Sequence, residues 1–594
     1  MGHFKINEKD LLFILKDQLN YGSLCRLKRY QELDEETLDM LVLEAVKFAK
    51  GVLDPLQEIG EHWGIQFENN QVRCAPEYKE AFRLYGENGW ISASRGTRYG
   101  GQGLPHMMRI VVNDLMYGAA QAFNMAPSLT HGAAHLIESF ATEELKERYV
   151  PKMYSGQWAG TMCLTEPNAG SNLAALRTMA YPEGDHYKIK GTKMFISWGE
   201  HDLTDNIIHL VLARIEGAPE GVRGISLFVV PKVRVNHDGS LGELNDVLCA
   251  GVERKLGLHA SPTCVLNFGD NDQCIGYLCG QAHQGLAHMF QMMNQARINV
   301  GVSGMTLAGT AYLNALAYTK ERIQGADVAG RKGGYVPIID HPDVRRMLLW
   351  MKAMVDGMRS MIYMGAFWSD LALALPDGEE KQHYNALLDF MTPVIKAYCS
   401  DMGFRVCETA IQCLGGYGFC KEYPLEQYLR DSKIMSLYEG TNGIQAMDLM
   451  GRKMRINDGA PFKSFMSEVD NFCRENGEHP VLGGAVRNLS KVMQRLRAVA
   501  EELSTMSKSD PLLWASTAYP ALLCFGEVTT AWRLLDLARV AQGYLEKDPN
   551  NNYYVGKVMQ ATYWVGVTLP ETASRLETCL RKGREVVEIP GEAF

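Results

Sequence analysis

The sequence predicts a mainly helical protein with one central β-domain, and three observations carry that prediction. Apolar residues recur at helical spacing through the first quarter, switch to alternating and continuous apolar runs past Trp158, and return to helical spacing from Gln281 onward. At about 100 to 200 residues per domain, a chain of 594 residues divides into three or four units, each large enough to bury a core.

The first predicted domain, residues 1–157, reads as helical. From Asp34 the run DEETLDMLVLEAVKFAKG offers an N-cap, acidic residues in a first turn, a face made of Leu38, Leu41, Val42, Ala45 and Val46, and Gly51 as a stop. A glycine-rich loop from Tyr99 to Pro105 separates the later helices. The second domain, residues 158–280, holds HYKIKGTKMFIS, IIHLVLARI and GISLFVVPKV, which read as strands of a compact β-domain closing near CVLNFGD. In the third, residues 281–455, helical spacing runs through Ala311, Leu348, Leu371 and Ile411. The polar, breaker-rich INDGAP (456–461) then leads into a last helical domain, residues 462–594, where Val492, Met493, Leu496, Val499 and Leu503 share one face.

Composition bounds the function classes. Hydrophobic residues at 46% and charged residues at 22% are ordinary globular usage, which argues against a disordered or fibrous chain. A formal net charge of -9 gives no attraction to nucleic acid or anionic lipid, and residues 460–594 hold 15 Lys and Arg against 16 Asp and Glu, too balanced for a duplex-binding patch. The 14 cysteines form no CxxC pairs, so free thiols in a reducing cytoplasm are expected. The start, MGHFKINEKDLLFILKDQ, mixes charges into its apolar residues, and no run of about 18 apolar residues occurs, so neither a secretory signal nor a membrane span is expected.

Three motifs stand in order at domain-sized separations: MCLTEPNAGSN at 162–172, KMFISWG at 193–199 and LRDSKIMSLYEGTNGIQ at 429–445. In the last, Glu439 lies between an apolar run (Ile434, Met435, Leu437, Tyr438) and a glycine turn, surroundings that raise a carboxyl pKa toward neutrality and suit a general base. TEPNAGSN is a turn-rich loop whose Thr165 and Ser171 hydroxyls and freed backbone N–H groups can hydrogen-bond a heterocycle and a pyrophosphate.

Together the motifs closely resemble the acyl-CoA dehydrogenase family of flavoproteins, over roughly residues 35–455. The resemblance implies an acyl-CoA dehydrogenase-like fold of helical domain, β-barrel-like domain and helical bundle. The extra C-terminal helical domain resembles that of larger bacterial members, a group that includes 3-methylthiopropionyl-CoA dehydrogenases. It implies FAD-dependent α,β-dehydrogenation of an acyl-CoA, as in β-oxidation, with Glu439 abstracting the α proton and flavin N5 taking the β hydride, which no side chain can accept. Gly440 would let the backbone approach the thioester, whose oxygen the family holds with the N–H of the base and a flavin ribityl hydroxyl. Arg297 matches a family arginine that orients the base or keeps it ionised; Thr441 falls among the cofactor-binding positions, and Tyr438 among the substrate-binding ones.

By the same resemblance Met162, Leu164 and Thr165 would line the isoalloxazine, Ser171 would reach the pyrophosphate or the acyl-CoA, and Phe195 and Ser197 would cover the flavin face and N5, where many relatives carry tryptophan and threonine. Trp198 is expected to pack in a core. Arg322, Gln324, Gln412, Gly415 and Gly416 would touch the FAD of a neighbouring subunit, making a homodimer or tetramer with a shared cofactor site. An electron-transfer flavoprotein is the expected reoxidant, with an acyl-CoA oxidase using oxygen as the alternative; a nucleic-acid-binding relative would need a basic C-terminal domain that this chain lacks. For the acyl group, Met107, Met108, Met116 and Met125 fit either a bulky pocket or core filling, and Arg95, Arg98 or Arg109 is a candidate anchor for a distal carboxylate, with Arg109 as the chosen substrate residue.

Overall fold

The computed structural model describes residues 3–581 and 583–594; Met1, Gly2 and Lys582, which fall in the first and last predicted domains, lie outside the described residues. The chain forms two compact units, one of residues up to Phe4 with Met40–Ala296, the other of Lys5–Asp39 with Arg297–Phe594.

In the first unit, helix α1 (His106–Ala119) buries every residue but His106 and helix α2 (Gln121–Phe140) buries 14 of its 20, because their apolar positions are not confined to one stripe. Phe123 meets Tyr78 edge to face at 5.2 Å and lies 6.4 Å from Tyr85, so the core here is aromatic. One segment departs from the all-helical expectation. Gln66–Glu68 and Gln71–Arg73 pair as an antiparallel hairpin around Asn69 and Asn70, both left-handed (φ 50 and 63). Two asparagines at positive φ make the tight turn that hairpins favour, and this short-range signal overrides the helical pattern around it.

The main sheet of the β-region has eight strands, β1 (Trp158–Cys163), β2 (Met179–Glu183), β3 (His186–Ser197), β4 (Asn206–Ile215), β5 (Ile225–Pro231), β6 (Val247–Val252), β7 (Thr263–Phe268) and β8 (Ile275–Leu278), and a separate hairpin pairs Val233–Val235 with Leu241–Leu244. The main sheet runs in the order β6-β7-β3-β8-β5-β4-β1, with β2 pairing β3 and β4, around one core that includes Ile189, Val211, Phe228, Val230 and Leu266. β5 is buried along its whole length, which is why GISLFVVP reads as a continuous apolar run instead of an alternating one.

The second unit is built on α3 (Gly285–Glu321), which enters it from Arg297, followed by α4 (Pro342–Ala374), α5 (Glu379–Leu414), α6 (Leu425–Lys433) and α7 (Asn442–Met447). A short hairpin, Ile323–Ala326 with Tyr335–Pro337, interrupts the predicted helical run. The INDGAP segment reverses the chain through three left-handed residues, Asn457, Asp458 and Gly459. Beyond it come α8 (Ala460–Asn476), α9 (Gly483–Ser509), α10 (Pro511–Leu545) and α11 (Asn552–Leu580). Phe465 of α8 stacks on Phe390 of α5 at 4.9 Å, and Phe525 of α10 meets Phe390 edge to face at 5.3 Å, so the last helices share a core with the bundle. Residues 5–39, read from the sequence as part of the first helical domain, pack in this unit instead. A buried charge cluster joins them to it, with Lys557 Nζ 2.7 Å from Asp10 and 2.6 Å from Asp356 and Lys352 pairing with both acids, and Phe13 packs on Tyr553 and Tyr554.

Candidate active site

Each unit carries part of the predicted site. In the first, β1 runs into the loop TEPNAGSN, which closes on itself through two backbone hydrogen bonds between Glu166 and Ala169, each 3.0 Å. Glu166 is buried and anchors this loop: its carboxylate accepts from the Arg177 and Thr178 amides, from the Thr178 hydroxyl and, at 2.9 Å, from Lys193 of β3. The same ammonium donates to the Leu164 carbonyl at 3.0 Å, and the Met194 amide donates to the Thr165 carbonyl, so the loop is tied to β3 along its length. Leu164 is buried, Met162 and Thr165 are half-buried at its edge, and Ser171 is exposed.

β3 bulges opposite β7: Lys193 pairs Leu266 and Ile196 pairs Cys264, so Met194 and Phe195 stand against the single residue Val265. Phe195 takes a left-handed backbone (φ 59) and its ring is 56% exposed. A phenylalanine held at positive φ in a strand is strained, and a bulge of this kind re-aims a side chain. Here it turns an aromatic ring outward beside half-buried Ser197. Trp198 is the reverse case, 1% exposed with its indole N–H donating to the Ala122 carbonyl at 3.2 Å.

In the second unit, Glu439 sits between the end of α6 and the start of α7. It is left-handed (φ 58), and Gly440 follows at φ 84, where an added Cβ would lie 2.7 Å from Gln445 Nε2. The glycine is therefore required by the turn itself. Thr441 caps α7 by accepting from the Ile444 amide, while Arg297 Nε and Gln445 Nε2 both donate to the Glu439 carbonyl at 3.4 and 3.3 Å. The Glu439 side chain is half-buried and desolvation pushes its carboxyl up to about 7, against the opposing pull of the Arg297 and Lys396 cations. Such a group is half ionised near neutral pH, the range a general base needs.

Arg322, Gln324, Gln412, Gly415 and Gly416 come together around one cavity of about 700 Å³, with Tyr318, His341 and Tyr417. The Arg322 guanidinium lies 5.8 Å from the Tyr417 ring centroid, and His341 Nε2 is 2.7 Å from the Gln324 carbonyl. A Cβ added at Gly415 or Gly416 would meet nothing within 4 Å, so both face open space. A guanidinium, two amides, aromatic rings and bare backbone suit an anionic dinucleotide; separately, in the first unit, the hydroxyls of the TEPNAGSN loop and the exposed Phe195 suit a flavin ring, so each set by itself fits a part of FAD.

The arginines in the first unit diverge. Arg98 lies on the surface, paired with Glu143 at 2.6 Å. Arg109 is 3% exposed; its guanidinium reaches the Ile91 carbonyl at 3.5 Å, and its Nε has no hydrogen-bond partner among the described residues. Met107, Met108 and Met116 are fully buried core. Two features escape the sequence reading: the Glu166–Lys193 pair, and Lys396 with Asn442 beside the base. A lone lysine in the apolar run MTPVIKAYC was the available signal for the second.

Family models match along the chain in order: acyl-CoA dehydrogenase N-terminal domain at residues 35–157, middle domain at 161–270, C-terminal domain at 283–454, and an acetyl-CoA dehydrogenase C-terminal-like domain at 465–590. A 3-methylmercaptopropionyl-CoA dehydrogenase of Ruegeria pomeroyi is 36% identical, over 95% of this chain and 96% of its own. A butyryl-CoA dehydrogenase of Syntrophomonas wolfei is 34% identical, over 100% of this chain and 99% of its own. Among solved structures, Caenorhabditis elegans ACDH-11 in complex with C11-CoA has a TM-score of 0.76 at 20% identity, covering 96% of this chain and 93% of that one, a likeness of fold.

Proposed function

The chain belongs to the acyl-CoA dehydrogenase family, FAD-dependent oxidoreductases of acyl-CoA thioesters, and on that premise we propose that Glu439 is the base that removes the α proton as the substrate becomes a 2-enoyl-CoA. The observation that carries this is the Glu439 turn: a left-handed backbone fixed through its carbonyl by Arg297 and Gln445, with a carboxyl raised to about 7. FAD, when bound, supplies the acceptor for the β hydride. The ionised Glu439 takes the proton, so activity rises as pH climbs through about 7 and falls below it. The Glu439 N–H would serve the thioester oxygen as charge develops there, and Thr441 holds the turn by capping α7. Met162, Leu164, Thr165, Phe195 and Ser197 would hold the flavin ring, Ser171 would meet the pyrophosphate or the acyl-CoA, and Tyr438 the acyl-CoA.

The cavity around Arg322, Gln324, Gln412, Gly415 and Gly416 would hold the FAD of a second copy. In support, Ile323, Tyr335, Tyr417 and Phe419 on these segments are all at least half exposed, an apolar surface that a partner subunit would cover. An electron-transfer flavoprotein is the proposed acceptor, and the cytoplasm the proposed location; among the described residues no helix is long and apolar enough to cross a membrane. For the acyl group, a buried Arg109 without a carboxylate partner supports a thioester with a distal carboxylate. Burial first, and then the charge of Arg95, push its pKa down to about 9, the mark of a cation lacking its counter-ion.

The test is anaerobic titration of flavin absorbance with straight-chain, branched, aryl and dicarboxylic acyl-CoA thioesters. Bleaching by one class, lost in Glu439→Gln, supports the reading; flavin that no thioester bleaches overturns it. Rapid oxygen consumption without an added acceptor would replace the dehydrogenase by an oxidase.

A further inference from the structure

Lys396 lies in the middle of α5, inside a stretch from Met391 to Ser400 that is buried at every position, and it is 0% exposed. Its ammonium donates to Asn442 Oδ1 at 2.8 Å. The orientation of that amide is dictated by its other end, where Nδ2 donates to the Ala397 carbonyl at 3.2 Å and to Ser400 Oγ at 3.0 Å. A carbonyl only accepts, so the amide nitrogen must face α5 there and the oxygen is left for the lysine. Asn442 is three residues past Glu439 and opens α7, so this network ties the base turn to α5.

Among the described residues, no carboxylate stands within ion-pair distance of Lys396, and a buried ammonium with a single neutral acceptor is costly. The anions that act on it are Glu439 and, further along α5, Asp401, which accepts from the Tyr519 hydroxyl of α10. From α3, Arg297 adds a second cation, itself facing Asp448 and Arg452 of the turn after α7.

We propose that Lys396 is a positioning residue for the base: its buried ammonium, held by Asn442, favours the charged carboxylate of Glu439 and braces the turn that carries it. The inference rests on Glu439 being the base, and nothing in the family matches or the motifs assigns this lysine. Electrostatics agrees with the geometry, since Glu439 raises the Lys396 pKa against a larger desolvation that lowers it to about 8, and Lys396 lowers that of Glu439.

The experiment is the pH profile of kcat/KM for the FAD-loaded enzyme and three Lys396 variants, with whichever thioester bleaches the flavin. Removing a nearby cation raises a carboxyl pKa, so Lys396→Met should move the half-rise upward by about one pH unit. This is close to a tenfold loss well below the midpoint, with the high-pH plateau within about threefold of the parent. Lys396→Gln keeps a donor to Asn442 and loses only the charge, so it should shift the midpoint alike; Lys396→Arg should restore it. If Lys396→Met does not fold, Lys396→Gln decides. An unmoved midpoint in the Gln variant, with or without a lower plateau, overturns the proposal and leaves Lys396 a structural seat. Glu439→Gln separates the two readings: if it retains activity and midpoint the base assignment fails, and if it abolishes activity while Lys396→Gln leaves the midpoint in place, only the lysine inference fails.

Discussion

Lys193 and Lys396 are both 0% exposed, both pushed by burial down to about 8, and each stands behind a predicted site segment, yet their partners differ. Lys193 faces the Glu166 carboxylate at 2.9 Å and closes a network of five hydrogen bonds around the TEPNAGSN loop. Lys396 faces a neutral amide. A lysine whose charge is cancelled at contact distance works as a staple, and its removal strands the partner anion. A lysine held by a neutral group keeps its field, and that field falls on Glu439.

The largest way to break this comparison is to remove the anion on which the Lys396 field acts. Glu439→Gln should lower kcat by about 10³-fold or more, the upper range for a lost general base, with flavin content unchanged, as read by steady-state kinetics and absorbance. Next, Lys193→Met should destabilise the fold by about 3 to 5 kcal/mol because Glu166 is left buried and unpaired; pairing it with Glu166→Gln should recover part of that loss in chemical denaturation. Equal losses in the single and double variants would show that the pair is not the staple.

A finer change converts one lysine into the other type. Asn442→Asp gives Lys396 a carboxylate at contact distance, cancelling its field and adding a negative charge near the base. The Glu439 midpoint in the kcat/KM profile should move up, by about half a unit or more, and stability should drop by about 1 to 3 kcal/mol because the second carboxylate oxygen would face the Ala397 carbonyl. The smallest expected effect is Thr178→Val, which removes one donor from Glu166 while the lysine and two amides remain; about 1 kcal/mol in thermal unfolding is expected, with the pH midpoint in place.

The helical and strand segments were legible because burial patterns repeat in sequence at their own periods, and the continuous run of β5 reported its double burial directly. Asn69 and Asn70 also carried a readable turn signal that the helical pattern around them masked. The motif residues around Glu439, Thr165 and Gly415 were legible as types; what brought Gln324 and Gln412 to one cavity, or Arg297 to the Glu439 carbonyl, was packing between segments far apart in the chain.

By itself, then, the sequence determined the order of helical and β segments, the family and the residue types that carry its chemistry, since each of these is local and survives as a short motif. Only tertiary structure decided that residues 5–39 join the second unit, that Phe195 is turned outward by a bulge while Trp198 is buried, and which buried lysine is neutralised. Charge partners are set by which distant side chains share a low-dielectric interior, and Lys193–Glu166 and Lys396–Asn442 are contacts across 27 and 46 residues of chain that no local pattern encodes.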